Sequence, residues 1–370
     1  MAGGHGKQGD KELAAIRRRI DEIDARLQQL INERASIAQQ VGVAKGELAA
    51  AVDYYRPERE AEVLREVLAR NEGPLRDEEM LRLFREIMSA CLAQQDPLKI
   101  GFLGPEGTFT QTAVYKHFGH SVRALPFHTI DEVFQEVECG AADFGVVPIE
   151  NSTEGSVNNT LDMFLTSPLK IAGEIELRIE QHLMSRHKGL DKIERICAHD
   201  QSLAQCRGWI RENLPQAELI GMSSNAAGAR RARDEEGTAA IGPEVAADVY
   251  DLQILVNNIE DRPDNATRFL VVGRDLLAPT GDDKTTLLVS TSDTAGGAGV
   301  LHHLLQPLAT HGVSMTRIES RPSRRKNWDY VFFIDVDGHA EQPPVADALA
   351  ELEREASLFK VLGAYPRAIG

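Results

Sequence analysis

From Leu13 to Val43 apolar side chains recur at Leu13, Ile16, Ile20, Ile23, Leu27, Leu30, Ile37 and Val41, stepping by three and four until a gap around Arg34. That spacing predicts an amphipathic helix with a heptad-like seam and charges on its outer face. Such a helix is about 46 Å long at ~1.5 Å per residue. It is too long for a small globular unit unless a partner of similar length packs against it. A second helix is predicted from Pro57 through Val63, Leu64, Val67 and Leu68 to Asn71, where Glu72-Gly73-Pro74 ends it. A third runs from Asp77 to Gln95. Three helices without a strand enclose no wide core, so the pattern predicts a helical dimer that buries the seam.

After Asp96-Pro97 the period changes. LKIGFLG, ADFGVVPIEN, KIAGEIELRIEQHLM, ERICAHD and LIGMSS read as strands. Helical stretches lie between them at Thr110–Phe118, Ile130–Cys139, Ser202–Leu214, Asn225–Glu235 and Glu244–Val249. Alternating β and α over residues 98–275 predicts an α/β sheet in two lobes. LLAPTGDD reads as a linker. From Thr285 the order is strand, helix (Gly299–Thr310), strand, strand, helix (Val345–Glu355), strand, which fits a ferredoxin-like βαββαβ unit. The expected division is 1–96, 97–275 and 284–366.

Composition narrows the partners. The 370 residues carry a formal charge of −16, with 42% hydrophobic and 5% aromatic side chains. Residues 1–96 are nearly balanced, 15 Lys and Arg against 18 Asp and Glu, whereas 26 bases face 39 acids in the rest. No basic stretch suits nucleic acid or an anionic membrane. There is no apolar run of bilayer length and no apolar core in MAGGHGKQGD to suggest a signal peptide. Cys91, Cys139, Cys197 and Cys206 have no CxxC or disulfide-like spacing, which predicts reduced thiols and a cytoplasmic location. His302-His303 and His182/His187 lack metal-ligand spacing, so neither metal nor cofactor is expected.

Arg34 interrupts the apolar seam, and Lys45, eleven residues on, lies only about 20° off the same face. The two can converge on one anion. Arg17 stands about 25 Å from Arg34 along the axis and reaches the same ligand only from an antiparallel second chain. Each arginine alone also suits a side chain snorkelling from the seam to water. In the α/β part, polar clusters sit at strand ends: GPEGTFT, PIENSTEGSV, HDQSLAQC, SSNAAGA and DNATRF. Free N–H groups there suit anions. Taken singly, each cluster equally suits caps and turns.

RRRIDEIDARLQQLINERASIAQQVGVAK followed by YYRPEREAEVL resembles the all-helical chorismate mutase domain. GPEGTF, VVPIENS and the triplet Thr267-Arg268-Phe269 resemble prephenate dehydratase. GVLHHLL and ESRPS resemble the two ligand motifs of the ACT domain, the first departing from Gly-Ala-Leu at Val300. The chain thus resembles bifunctional chorismate mutase–prephenate dehydratases, multidomain α + α/β + α/β proteins. The resemblance implies rearrangement of chorismate to prephenate, then loss of water and CO₂ to give phenylpyruvate, with feedback by L-phenylalanine.

On the mutase side it implies chorismate binding by Arg17, Arg34, Lys45, Arg59, Glu60 and Gln95, with Lys45 and Gln95 as donors to the ether oxygen. A neutral Gln95 predicts a flat pH profile. Arg56 and Cys91 depart from the family pattern and predict altered affinity. On the dehydratase side it implies Thr267 as proton donor or relay, prephenate being bound by Asn151, Ser152, Gln205, Ser224, Thr267, Arg268 and Phe269. Arg268 either binds a carboxylate or serves a structural role, and Glu150 is either a second acid or a turn cap. Phenylalanine is expected at Gly299, Val300 and Leu301 and at Glu319, Ser320, Arg321 and Pro322, in a homodimer or higher homo-oligomer. An arogenate dehydratase and a catalytically silent amino-acid sensor are the rival readings.

Overall fold

The computed structural model describes residues 4–46, 55–153, 155–290, 299–322 and 330–369. The chain opens with α1 (Gly4–Gly46), α2 (Pro57–Ala69) and α3 (Asp77–Leu92). Pro57 occupies the first turn of α2, where a missing N–H costs nothing. The C-terminal part of α1 meets α3, and Gln95 Nε2 donates to the Ala38 carbonyl at 2.6 Å. Along α1 the predicted seam is bare: Leu13, Ile16, Ile20, Ile23, Leu27, Leu30, Ile37 and Val41 are each about half exposed. α2 and α3 instead join the next unit, where Tyr55 packs against Phe118 and Phe144 at centroid distances of 5.5 and 5.4 Å.

The middle unit has two sheets. The first orders its strands β2 (Arg123–Phe127), β1 (Lys99–Leu103), β3 (Phe144–Asn151), β11 (Ala266–Gly273) and β5 (Lys170–Arg178), with β4 (Gly155–Ser156) paired to β3. The second runs β10 (Gln253–Val256), β6 (His182–Ser185), β9 (Thr238–Gly242), β7 (Arg195–His199) and β8 (Glu218–Met222). Helices α4 (Phe109–Phe118), α5 (Ile130–Glu138), α6 (Asn158–Phe164), α7 (Asp200–Gln205), α8 (Arg207–Asn213), α9 (Asn225–Asp234) and α10 (Glu244–Tyr250) connect them.

The chain crosses between the sheets twice, and this corrects one expectation. KIAGEIELRIEQHLM is two strands, β5 and β6, in different sheets, because residues 179–181 form the outward crossing. Ile179 N still bonds Asn265 O and Ile259 N bonds Gln181 O, both at 2.8 Å, so the outward and return crossings pair with each other. Alternation persists through the crossing and hides it. The helix expected over Ser202–Leu214 is likewise two. Asp261 accepts from Gly208 N and Trp209 N at 2.8 and 3.1 Å and starts α8 afresh.

The last unit has β12 (Asp283–Ser290), α11 (Val300–Thr310), β13 (Met315–Pro322), β14 (Tyr330–Asp337), α12 (Val345–Glu355) and β15 (Leu358–Pro366), with sheet order β13-β14-β12-β15. That is the antiparallel order of the expected βαββαβ unit. The predicted linker is tied down: Arg65 of α2 donates to Thr280 Oγ1 at 2.9 Å and to Asp282 O at 2.6 Å. One core joins this unit to the first sheet, with Leu288, Phe333, Leu362 and Tyr365 among Phe134, Phe164, Ile171 and Leu270. The approach is closest at Gly363, where a Cβ would stand 2.3 Å from the Ile171 carbonyl oxygen. Backbone does not give way as a side chain does. Gly363→Ala is therefore expected to cost about 1–3 kcal/mol, seen as a lower calorimetric Tm; an unchanged Tm would mean the strands separate freely.

Candidate functional site

A cavity of about 480 Å³ lies among the N-terminal helices, lined by Arg34, Arg59, Glu60 and Gln95 together with Tyr55 and Arg85. Four of the six residues expected to bind chorismate thus meet at one cavity. Arg17 lies farther along α1 and does not line it, and the side chain of Lys45 lies outside the described residues. Arg59 is swung to Glu62 at 2.8 Å, and Arg56 pairs with Glu58 at 2.6 Å.

Burial raises the Glu60 carboxyl to about 7, against a lowering influence from Arg85 and the Tyr55 hydroxyl. Gln95 does not titrate, but a Glu60 carboxyl raised toward neutrality argues against the expected flat pH profile. A carboxylate among cations is suited to accept a hydrogen bond from a ligand hydroxyl once it is ionised.

A second cavity, about 450 Å³, lies in the cleft between the two sheets. Thr267, at the start of β11, stands at its floor and is nearly buried. Asn151 of β3 donates from Nδ2 to Thr267 Oγ1 at 2.8 Å. Oxygen so engaged as an acceptor keeps its own hydrogen for a second partner. Asn265 fixes this corner, its Oδ1 accepting from Asn151, Ser152 and Thr153, each at 3.2 Å. Ser152 stands behind the wall and accepts from Ala266 N at 3.0 Å. Asn265 was legible only as part of the polar DNATRF cluster.

From the second sheet, Gln181 bridges Ser202 Oγ and Gln205 Oε1 at 3.0 Å each, and Asn225 donates to Ser202 Oγ at 2.8 Å. Ser224 caps α9, accepting from Ala227 N at 3.0 Å. The caps of α4, α7 and α9 (Thr108, His199 and Ser224) all line the cleft. Among the described residues lining it there is no Lys, Arg, Asp or Glu. An anion here would meet helix ends, amides and hydroxyls rather than fixed charge.

Arg268 is not in this cleft. Strand alternation turns Thr267 and Phe269 toward the cavity and Arg268 to the far face, which favours the structural one of its two alternatives. There it pairs with Glu174 of β5 at 2.9 Å and with Asp335 of β14 at 2.8 Å. Lys284 also binds Glu174 at 2.7 Å, and Thr286 donates to Asp335 at 2.7 Å. Burial disfavours the guanidinium charge, yet Tyr365, Asp335 and Glu174 together raise its pKa. Glu150 is likewise taken up, by Arg317 Nε of β13 at 2.8 Å.

In the last unit Gly299 caps α11 with φ 91°, a left-handed conformation that favours glycine, ahead of Val300 and Leu301. Glu319, Ser320 and Pro322 lie on β13 with Arg321. Arg321 is buried against α6, paired with Asp162 at 2.7 Å and with Asn158. Both of these partners belong to α6. Residues 291–298 and 323–329 lie outside the described residues. Among those described no metal-binding cluster occurs, no helix is long and apolar enough to cross a membrane, and the four cysteines are free thiols.

Three family descriptions match the chain: chorismate mutase type II over residues 16–96, prephenate dehydratase over 100–276 and ACT domain over 295–354. A bifunctional chorismate mutase/prephenate dehydratase from Pseudomonas aeruginosa is 52% identical over 97% of this chain and 98% of its own length. The solved prephenate dehydratase from Arthrobacter aurescens, in complex with L-Phe, is 39% identical with a TM-score of 0.67, covering 73% of this chain and 90% of that one. The structure of GqqA, described as a quorum quenching acylase, is 31% identical at the same TM-score, covering 73% and 98%.

Removing Arg268 would leave Asp335 and Glu174 buried with less countercharge. Arg268→Ala is expected to lower the unfolding free energy by about 3–5 kcal/mol in urea titrations. An undiminished stability with a raised KM for prephenate would instead return Arg268 to the substrate.

Proposed function

The chain belongs to the bifunctional chorismate mutase/prephenate dehydratase family, and from that premise we propose how its residues divide the two reactions and what regulates them. The first step is a unimolecular pericyclic shift and needs no nucleophile. Arg34, Arg59 and Lys45 receive the two carboxylates of chorismate, with Arg17 supplied by a second copy of the chain. Lys45 and Gln95 donate to the ether oxygen as charge builds on it, and Glu60 accepts from the ring hydroxyl. The bare α1 seam supports a homodimer in which two such helices lie antiparallel. The apolar surface it leaves open is the kind that monomers seldom expose.

In the second step, the bond from ring carbon to hydroxyl breaks as Thr267 supplies a proton, giving water. The bond to the ring carboxylate breaks with it, its electron pair completing the aromatic ring and CO₂ leaving. Thr267 regains its proton from the surrounding network. The observation that carries this reading is the Asn151 Nδ2 bond to Thr267 Oγ1 at 2.8 Å on the cleft floor. A threonine has no charge to titrate near neutrality, so it acts as a relay within that network. Asn151, Gln205, Ser224 and Phe269 line the bound prephenate, and Ser152 steadies Asn265.

L-Phenylalanine binds the ACT unit at Gly299, Val300, Leu301, Glu319, Ser320 and Pro322 and lowers the dehydratase rate. Support comes from the L-Phe complex of the Arthrobacter relative and from β13, whose Arg317 and Arg321 grip Glu150, Asp162 and Asn158 beside the cleft. The enzyme works in the cytoplasm on these small molecules.

Purified chain should convert chorismate to phenylpyruvate without added cofactor, and prephenate faster than arogenate. Thr267→Ala should abolish only the second step and Arg34→Ala only the first. Mixing Arg17→Ala with Arg34→Ala chains should restore up to about a quarter of mutase activity through heterodimers. Mutants that keep both activities would refute the assignments. Titrating L-phenylalanine should depress dehydratase turnover in wild type and much less in Glu319→Ala; an unresponsive wild type would refute the regulation.

A further inference from the structure

Arg85 belongs to none of the positions carried by the family resemblance, yet it stands at the back of the helical cavity. Tyr55, Glu60 and Arg85 each line that cavity, and each also lines a narrow crevice of about 50 Å³ beneath it. These three side chains form the partition between the two spaces. The crevice is closed on its far side by α4, by β5 and by Pro366–Ile369, the segment that follows β15.

The partition is held from two sides. Tyr55 is buried against Phe118 and Phe144, and it lines both spaces beside Glu60. Arg85 donates from Nη2 to the carbonyl of Ile369, a contact spanning 284 residues of chain. The guanidinium is thus pinned by the C-terminal segment on one side while its charge acts on Glu60 on the other.

Resting on the mutase reading of this cavity, we propose that Arg85 is a positioning residue of the mutase. It stands behind Glu60 at the partition and is itself held by the Ile369 carbonyl, so that the C-terminal segment is part of the mutase site.

The electrostatics agree with the geometry. Arg34 and Arg59 line the cavity together with Glu60, Arg59 being turned to Glu62. On the crevice side stand Lys116 and His117 of α4, Glu174 and Glu176 of β5, Arg367 of the C-terminal segment and the Tyr55 hydroxyl. Glu58 also acts on Tyr55. Lys116 donates to the Glu176 carbonyl at 2.8 Å, and burial holds His117 neutral, down to about 3. Burial raises Glu60 to about 7, and Arg85 is the foremost charge opposing that rise. Without Arg85 the carboxyl titrates at still higher pH, and less of it is ionised at neutrality to accept from the substrate hydroxyl.

The test uses the full chain as wild type, Arg85→Gln, Arg85→Lys and a form shortened to end at Ala368. Mutase kcat and KM are measured from acid to alkaline pH, with dehydratase turnover of added prephenate as internal control. In wild type, mutase kcat/KM should rise with pH through roughly 7. In Arg85→Gln it should fall about tenfold or more at neutral pH, the cost of a misplaced group, with the rise displaced to higher pH. Arg85→Lys should recover most of the loss. The shortened chain should shift in the same direction as Arg85→Gln, with dehydratase turnover unchanged in every form. In a Glu60→Gln background, Arg85→Gln should add little.

A wild-type pH profile in Arg85→Gln would overturn the proposal. So would equal losses of both activities, which mean a folding defect, or an unaltered mutase in the shortened chain. A wild type inactive on chorismate but active on prephenate would instead overturn the reading of the cavity itself.

Discussion

Everything about the dehydratase half depends on four charges that share almost no water. Arg268 and Lys284 face Glu174 and Asp335 in a buried, balanced set, with Thr286 and Tyr365 completing its hydrogen bonds. Such a set is weak evidence for net stability, because desolvation takes back most of the attraction. Its effect is on register. Arg268 lies between Thr267 and Phe269, so fixing it on the far face fixes both neighbours on the cleft face. A slip of one residue along β11 would bury Thr267 among the anions and turn Arg268 into the active site. The irregular pairing of β11 with β3 between Arg268 and Phe269 falls at the same point. The ion set thus anchors β11 to the sheet of the last unit.

The two cavities solve one electrostatic problem in opposite ways. Both substrates are dianions, and the chain carries a net −16. The helical cavity is lined by fixed cations, Arg34, Arg56, Arg59 and Arg85 among the described side chains. The interlobe cleft uses helix N-termini, amides and hydroxyls. The difference fits the chemistry. A rearrangement gains from forks that lock a flexible dicarboxylate into one conformation. A decarboxylation must release its carboxylate as neutral CO₂, and a strong ion pair on that group would hold back the charge that has to leave it.

Much of this was legible in the residues themselves. The seam of α1, the division into helical, α/β and βαββαβ parts, and the strands of the last unit all follow from periodicity that each element keeps throughout. Arg34, Glu60, Gln95 and Thr267 fall where their motifs put them. What was hidden depended on direction or distance. Periodicity over residues 170–184 cannot reveal a change of sheet, because the crossing keeps the alternation of the strands it joins. β11 was read only as the polar cluster DNATRF, since its first residues carry the chemistry and mask the strand behind them. Arg268, Arg321 and Glu150 have the residue types of ligand groups. Asp335 lies 67 positions from Arg268, Asp162 lies 159 from Arg321, and Arg317 lies 167 from Glu150. No local pattern carries such information.

The sheet of the last unit occupies a position from which it reaches both cavities. Its strand order puts β13 at one edge and β15 at the other. From β13, Arg317 and Arg321 grip the β3–α6 wall of the interlobe cleft. From β15, Gly363 lies on the Ile171 backbone, and the chain continues to the carbonyl that holds Arg85 behind the helical cavity. The sheet is thus fixed at its centre by the Arg268 ion set and bears on a different cavity at each edge. Packed cores shift between discrete arrangements rather than bend continuously, so coupling between the two edges would require a ligand that binds two such arrangements of the sheet with different affinity.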